Sequence, residues 1–510
     1  MRKDKKEFRA VLMNPFLFPP VWPNSPFLYS RFPANVPDVA LAGIAAAAKP
    51  RPVDILDGWN SDIGFEEFVS YSDKYSLVGI RVVSSFTSIQ ARALAAAIKA
   101  RSPETVVVLG GHHATLYSKK WLEFAPEVDA VVRGEGENTF RELFDSLSSG
   151  GSFSGIAGVS WRNVRGQIIE EAPRSLEKSL DNFPPPLFDL WEKRRYTPTI
   201  LGSGTAGTIE SSRGCSTACG FCAVGAMWNN RQRWKSIERI LTEVEAIKRL
   251  GINNFIFADD NFNGKPDFSL DLCDEVAKFF PGVSWGTMAS AKPFFTHPEL
   301  AEAMARAGCR YLVIGFENVE KTALSALHKG HKAVTPENGY EKVFKTLDRA
   351  GIIVIGLFIY GWRGETEEEL MAMVELSNKI CHFRGLNPFE IIHGTPLYPD
   401  YETMKTSDFY KLFPPFYKPP QRPSIPAMFK VRAPTLIKEL ARSAAQRNFM
   451  ARFFALKNYY IAKALIPPRP SMLKFSKIAH NPSLSDEERM TEFVNETIKS
   501  AREIGKRHRK

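Results

Sequence analysis

Short apolar runs rich in β-branched residues recur along most of this 510-residue chain, and each is followed by a helical pattern. Leu77–Val83, Thr105–Leu109 and Val128–Val132 punctuate the first 150 residues; Asn254–Ala258, Tyr311–Ile314 and Ile352–Tyr360 do so beyond Thr208. Continuous apolar strands alternating with helices predict parallel sheets covered on both faces. The rhythm breaks once, over 151–200, where Gly155–Gln167 reads as a hairpin turning at Arg165-Gly166 and Pro184-Pro-Pro186 stiffens the approach to a second domain. The chain is therefore expected to be α/β, with a Rossmann-like domain over 1–150, a linker with a hairpin over 151–200, and a barrel or partial barrel of six βα units over 201–400, its sixth strand starting at Glu390. Apolar and basic helical stretches (Leu436–Phe449, Phe453–Leu465, Asp486–Ile504) make 401–510 a helical extension.

In open α/β sheets ligands bind outside the carboxyl ends of the strands. In the first domain Ser84, Ser85, Gly110, Gly111 and Gly134 fall at those ends, where small residues let backbone approach a ligand and donate N–H groups. In the second, the first strand runs into Ser-Ser-Arg-Gly-Cys215-Ser-Thr-Ala-Cys219-Gly-Phe-Cys222, the second into Asp259-Asp260, the fourth into Glu317, and the fifth into Gly361 and Gly364. Tyr196, Trp228, Trp285, Phe316, Tyr360 and Trp362, near strand or loop ends, can flank a flat or greasy substrate or fill the core.

Three thiolates in a C-x3-C-x2-C string can wrap one soft metal site, and thiolate selects iron–sulfur or zinc over hard cations. A structural zinc site takes four ligands in paired units. Here Cys273, Cys309 and Cys381 stand alone, and His112 and His113 are distant in sequence. A long-range fourth ligand leaves zinc open on the residues themselves. A cubane cluster held by three cysteines keeps one iron free for a small molecule.

Six cysteines in this length and no visible secretory signal fit a reducing cytoplasm. No run reaches the ~20 apolar residues that span a bilayer. Much of the net charge of +11 sits at the two ends, Met1–Lys6 and Lys506–Lys510, and reads as solvated termini. The stretch from Arg452 to Leu465 can lie on a membrane surface or close over the barrel as a lid.

With Phe221 just before the third cysteine, the cysteine string resembles the signature of the radical S-adenosylmethionine (SAM) superfamily. The resemblance implies a 4Fe–4S cluster on Cys215, Cys219 and Cys222, whose open iron chelates SAM. It further implies an external electron donor such as flavodoxin or ferredoxin, and a 5′-deoxyadenosyl radical that takes hydrogen from substrate. It places the SAM amino group near Asp259 and Asp260. Glu317 can hold the ribose or orient substrate, and Gly356, Gly361 and Gly364 can let adenine lie against the fifth strand. The strings Gly110-Gly-His-His-Ala-Thr115 and Asp129–Glu137 resemble the cobalamin-binding domain that precedes many such modules. That implies a corrin cradled by Ser84, Ser85, Gly110, Gly111, His112, Gly134 and Glu135. The D-x-H-x-x-G motif is absent, so the lower cobalt face is expected to be empty or water-bound.

Together these features resemble the class B radical SAM methyltransferases over nearly the first 400 residues. The implied activity is methylation of an unactivated carbon in a hydrophobic or ring-containing small molecule, such as a tetrapyrrole or a lipid. The anaerobic magnesium-protoporphyrin monomethyl ester cyclase shares the architecture but oxidises and closes a ring. A cobalamin-binding sensor or carrier would need no cluster. A methylthiotransferase acting on RNA would bring further clustered cysteines in its first domain, which has none, so no nucleic acid partner is expected.

Overall fold

The computed structural model describes residues 7–15, 36–58, 65–191, 205–327, 334–360 and 365–398 (apart from 338, 390, 391 and 393), with scattered positions from 483 to 499. Leu436–Phe449 and Phe453–Leu465, together with Tyr196, Gly361, Trp362 and Gly364, lie outside the described residues; scattered positions within Asp486–Ile504 are helical. The chain forms two compact units: the described residues up to 191 and those from 483 on belong to the first, and those from 205 to 398 to the second.

The first unit is built on a sheet of seven strands: β1 (Ala10–Asn14), β2 (Val53–Asp57), β3 (Leu77–Arg81), β4 (Val106–Gly110), β5 (Ala130–Val132), β6 (Val159–Arg162) and β7 (Ile168–Glu170), in the order 2-1-3-4-5-6-7. β1 to β5 are parallel, as the apolar runs predict. Alternate residues serve opposite faces. Ala10, Leu12, Leu77, Val108, Ala130 and Val132 pack with Leu41, Ala45, Phe140, Leu143 and Phe144 of helices Val39–Ala47 and Gly136–Ser148. The opposite face buries Val11, Met13, Val78, Ile80, Val107, Leu109 and Val131. Asp38 caps the helix Val39–Ala47 through Ala40 N and Leu41 N. The hairpin of the 151–200 stretch is not a free-standing connector: β6 pairs antiparallel with β5 and extends the sheet.

The second unit holds six parallel strands in the order β8 (Ala206–Ile209), β11 (Asn254–Phe257), β12 (Ser284–Ala289), β13 (Cys309–Glu317), β14 (Ile353–Tyr360) and β15 (Phe383–Pro388). Between β8 and β11 comes a two-stranded ribbon, β9 (Ser212–Arg213) with β10 (Arg233–Trp234). Among the described residues no ladder joins β15 back to β8, so the sheet is a partial barrel. The sixth strand lies at Phe383–Pro388, ahead of the expected start at Glu390. Its signal is masked by Arg384, a charged residue in mid-strand. Arg384 is nonetheless buried, donating to Val374 O, Ser377 Oγ and Asn378 Oδ1 on the helix Glu367–Ile380. Gly356, read as a seat for adenine, is taken up by packing: a Cβ there would meet Phe358 at 2.9 Å and Cys381 at 3.0 Å.

One ionic cluster ties the helix Ile237–Arg249 to the ribbon. Lys235 Nζ lies 2.8 Å and 2.9 Å from the two carboxylate oxygens of Glu243, whose side chain is fully buried, and Arg239 Nε lies 2.8 Å from the same group. Lys235→Met leaves that carboxylate half compensated and lowers the unfolding free energy by about 3 kcal/mol in urea titration.

Candidate functional site

β8 ends at Ile209 and the chain turns through Glu210 and Ser211 into the ribbon, whose two strands close the base of a loop carrying all three clustered cysteines. Gly214 makes the closure possible. It sits at φ 92°, and a Cβ would fall 2.1 Å from Arg231 O on the returning strand. Gly220 N donates to Leu327 O (3.0 Å) and Gly220 O accepts from Leu397 N (3.1 Å), pinning the tip. The Thr217 hydroxyl stands 3.0 Å from Cys215 Sγ and 3.5 Å from Cys219 Sγ. All three cysteines are free thiols. Burial, with Cys219 and Cys215 adjacent, pushes the Cys222 thiol up to about 11.

The carboxylates after β11 hold this loop. Asp259, 2% exposed, accepts from Ser211 N (2.8 Å), from Ser212 Oγ (2.8 Å) and from Ser211 Oγ. Asp260 accepts from Gly214 N at 3.0 Å. Burial raises Asp259 to about 7 and Asp260 to about 6. Gln232 Nε2 donates to Ser212 Oγ (2.9 Å) and Asn261 O (2.6 Å), adding a second tie between ribbon and strand end. Glu210 pairs with Arg213 at 2.8 Å. Burial opposes its charge, but Arg213, Lys235 and Arg233 outweigh that and hold its carboxyl below the usual range. Arg213 and Arg233 lie 5.8 Å and 5.6 Å from the Trp228 ring.

Glu317 closes β13 in the left-handed region, φ 67°, where a bulge against β14 falls between Gly315 and Glu317. It is buried, and a residue other than glycine held there stores strain at the barrel's carboxyl edge. Asn318 beside it locks the corner, accepting from Val319 N and Glu320 N and donating to Ile359 O at the end of β14.

In the first unit Ser84 caps the helix Ser85–Arg101, with its backbone N–H donating to Thr87 Oγ1. Gly111, at φ 98°, passes so close to β3 that a Cβ would lie 2.8 Å from Val82 O. Gly111→Ala forces both a left-handed alanine and that clash, so it destabilises the unit by about 2–3 kcal/mol; thermal unfolding of the purified chain reads this. His112 opens the short helix His112–Leu116, whereas His113 is a core residue accepting from Trp121 Nε1 at 3.1 Å. Gly134, at φ 74°, donates from its N–H to Thr115 Oγ1 (3.0 Å) and has open space where a Cβ would point. Glu135 is buried and accepts from Glu177 N at 2.7 Å, binding the helix Gly136–Ser148 to the segment after the hairpin.

The chemistry of the donor sets fits two groups. Among the described residues no group of three His, Cys, Asp or Glu side chains is arranged to hold a metal ion; the three thiols share one pinned loop, and thiolate is the donor that suits iron–sulfur. Along the other edge, Gly110 and Gly134 leave strand ends bare enough for a large ring to approach backbone. Ser211, Ser212 and Gln232 were not legible as site residues. Their only sequence signal is that Ser211 and Ser212 abut the cysteine string.

Such a pair of edges defines an enzyme with two cofactor sites. Residues 209–377 match the radical SAM superfamily and residues 28–144 match the B12 binding domain. Over 348 residues the chain is 31% identical to an uncharacterized methyltransferase of Pyrococcus horikoshii, covering 68% of this chain and 73% of that one. Over 363 residues it is 26% identical to bacteriochlorophyllide d C-12(1)-methyltransferase of Chlorobaculum tepidum, covering 69% and 70%. The fold is shared with the radical SAM methyltransferase TsrM of Kitasatospora setae: TM-score 0.62, 20% identity, 76% of this chain and 74% of that one. The chain belongs to the radical SAM superfamily, in the cobalamin-dependent group that carries a B12-binding domain. Its cofactors are a 4Fe–4S cluster, SAM and cobalamin.

Proposed function

We propose that this chain methylates an unactivated carbon of a hydrophobic or ring-bearing small molecule. One observation carries the reading: a pinned loop with three thiols stands at the carboxyl end of the first barrel strand, in a chain whose other sheet is a B12-binding domain. When bound, the cluster and SAM supply one-electron chemistry at carbon, and cobalamin supplies a transferable methyl group. Cys215, Cys219 and Cys222 hold the cluster. Asp259 and Asp260 fix their loop and stand beside the SAM amino group, Glu317 beside the ribose and Gly361 beside the adenine. Ser84, Ser85, Gly110, Gly111, His112, Gly134 and Glu135 line the cobalamin edge. The division runs 1–150 for cobalamin, 151–200 for the connecting segment, 201–400 for the barrel and 401–510 for a helical extension that can touch a membrane surface. No helix among the described residues is long and apolar enough to cross a membrane. We place the enzyme in the cytoplasm, with a flavodoxin or ferredoxin as reductant.

Anaerobic reconstitution with iron, sulfide and cobalamin, followed by incubation with SAM, a reductant and a panel of hydrophobic or ring-bearing small molecules as acceptors, tests this. 5′-Deoxyadenosine and S-adenosylhomocysteine are expected together, and the product gains a methyl group. Gain of oxygen or ring closure without S-adenosylhomocysteine would favour the cyclase chemistry instead. Glu317→Gly separates strain from function. It relieves the left-handed backbone and raises stability by about 1 kcal/mol, while removing the carboxylate weakens SAM binding about tenfold in anaerobic calorimetry.

A further inference from the structure

The strand order 2-1-3-4-5 puts the topological switch point of the first unit between β1 and β3, the place where a parallel sheet opens a crevice for ligands. Asn14 is the last residue of β1 and so stands on that edge. Its side chain is 1% exposed. The amide nitrogen donates to Asp57 Oδ1 at 3.3 Å, at the end of β2. The amide oxygen has no hydrogen-bond partner among the described residues. In a planar carboxamide the oxygen sits on the branch opposite the nitrogen, so the contact with Asp57 leaves it unengaged. An unpaired buried acceptor costs stability, and native folds keep such groups for a reason. The backbone of Asn14 is spoken for: Gly58 N donates to its carbonyl at 3.2 Å.

We infer that Asn14 is a cobalamin-binding residue whose amide oxygen accepts a hydrogen bond from an amide N–H of the corrinoid. A corrinoid carries many primary amides, and a buried neutral acceptor selects an amide donor over a phosphate or carboxylate. Asp57 positions the carboxamide by engaging its nitrogen. The inference rests on the proposed cobalamin reading of this domain and adds to it a residue that no glycine turn reveals.

The experiment titrates hydroxocobalamin into the full-length chain under anaerobic conditions, following the visible spectrum, and records thermal unfolding with and without the corrinoid. Asn14→Ala and the isosteric Asn14→Leu also forfeit the donor to Asp57, so both are expected to stay folded in the absence of cobalamin but to unfold at a somewhat lower temperature than the wild type. Their dissociation constants for hydroxocobalamin are expected to rise about tenfold, with a matching loss of ligand-induced thermal protection. Binding as tight as wild type overturns the inference. So does failure of both variants to fold, which would make the carboxamide structural. A wild-type chain that binds no hydroxocobalamin overturns the cobalamin reading itself, which separates the two failures.

Discussion

Cys219→Ala will abolish release of 5′-deoxyadenosine from SAM while leaving cobalamin bound. Cys219 is the most buried of the three thiols, and Thr217 stands between it and Cys215. A cluster held by three protein ligands has none to spare, so the loss exceeds the ~10–100-fold caused by disturbing outer-sphere partners. Iron per chain should fall in parallel, and the cobalamin spectrum should persist because its binding edge belongs to the other sheet. Cys273→Ala is the control: that residue is also buried but sits on the helix Pro266–Phe279, away from the string. A Cys219→Ala protein that cleaves SAM at the wild-type rate would remove the cluster from these residues.

Asp259→Ala should be nearly as damaging although Asp259 is not one of the cluster's thiols. It strips acceptors from Ser211 N, Ser211 Oγ and Ser212 Oγ inside the protein. At roughly 1–3 kcal/mol for each stranded group, the base of the cysteine loop loses its anchor. We expect iron incorporation and SAM cleavage to fall at least tenfold. Asp259→Asn, which keeps one acceptor oxygen, should retain a measurable share of both. The same carboxyl sets a pH dependence. Burial lifts it to about 7, against an ordinary value near 4. Between those values the folded chain keeps a proton that the unfolded chain has released. Stability from this group is therefore full below about 4 and is lost as pH rises to about 7, with a slope of up to ~1.4 kcal/mol per pH unit. Asp260, raised to about 6 by burial, acts in the same direction. Urea titrations of the cluster-free chain across that range should slope more steeply for the wild type than for Asp259→Asn.

Much of this was legible in advance because the physical signals are local. Apolar β-branched runs must be buried on both faces, so Leu77–Val83 and Ile352–Tyr360 announce parallel strands. Three cysteines within eight residues meet whatever the fold does around them. A charged residue hides a strand even when its partners are near in sequence: those of Arg384 lie on the helix just before it, and only the turn between helix and strand brings them together. The hairpin from Val159 to Glu170 was visible, but its place at the edge of the sheet was not, since pairing with β5 leaves no mark in either strand's composition.

The sequence by itself determined that two strand-and-helix series exist, where most of their strands end, and that one end bears a thiol cluster. Only the tertiary structure decided what the polar residues at those ends do. Asp259 and Asp260 turn inward to hold the loop, Glu317 is locked in a left-handed corner, and Asn14 keeps an oxygen without a partner among the described residues. The reason is that hydrophobic periodicity is read from neighbours in sequence. A buried carboxylate's donors come from strands that meet only once the sheet has formed.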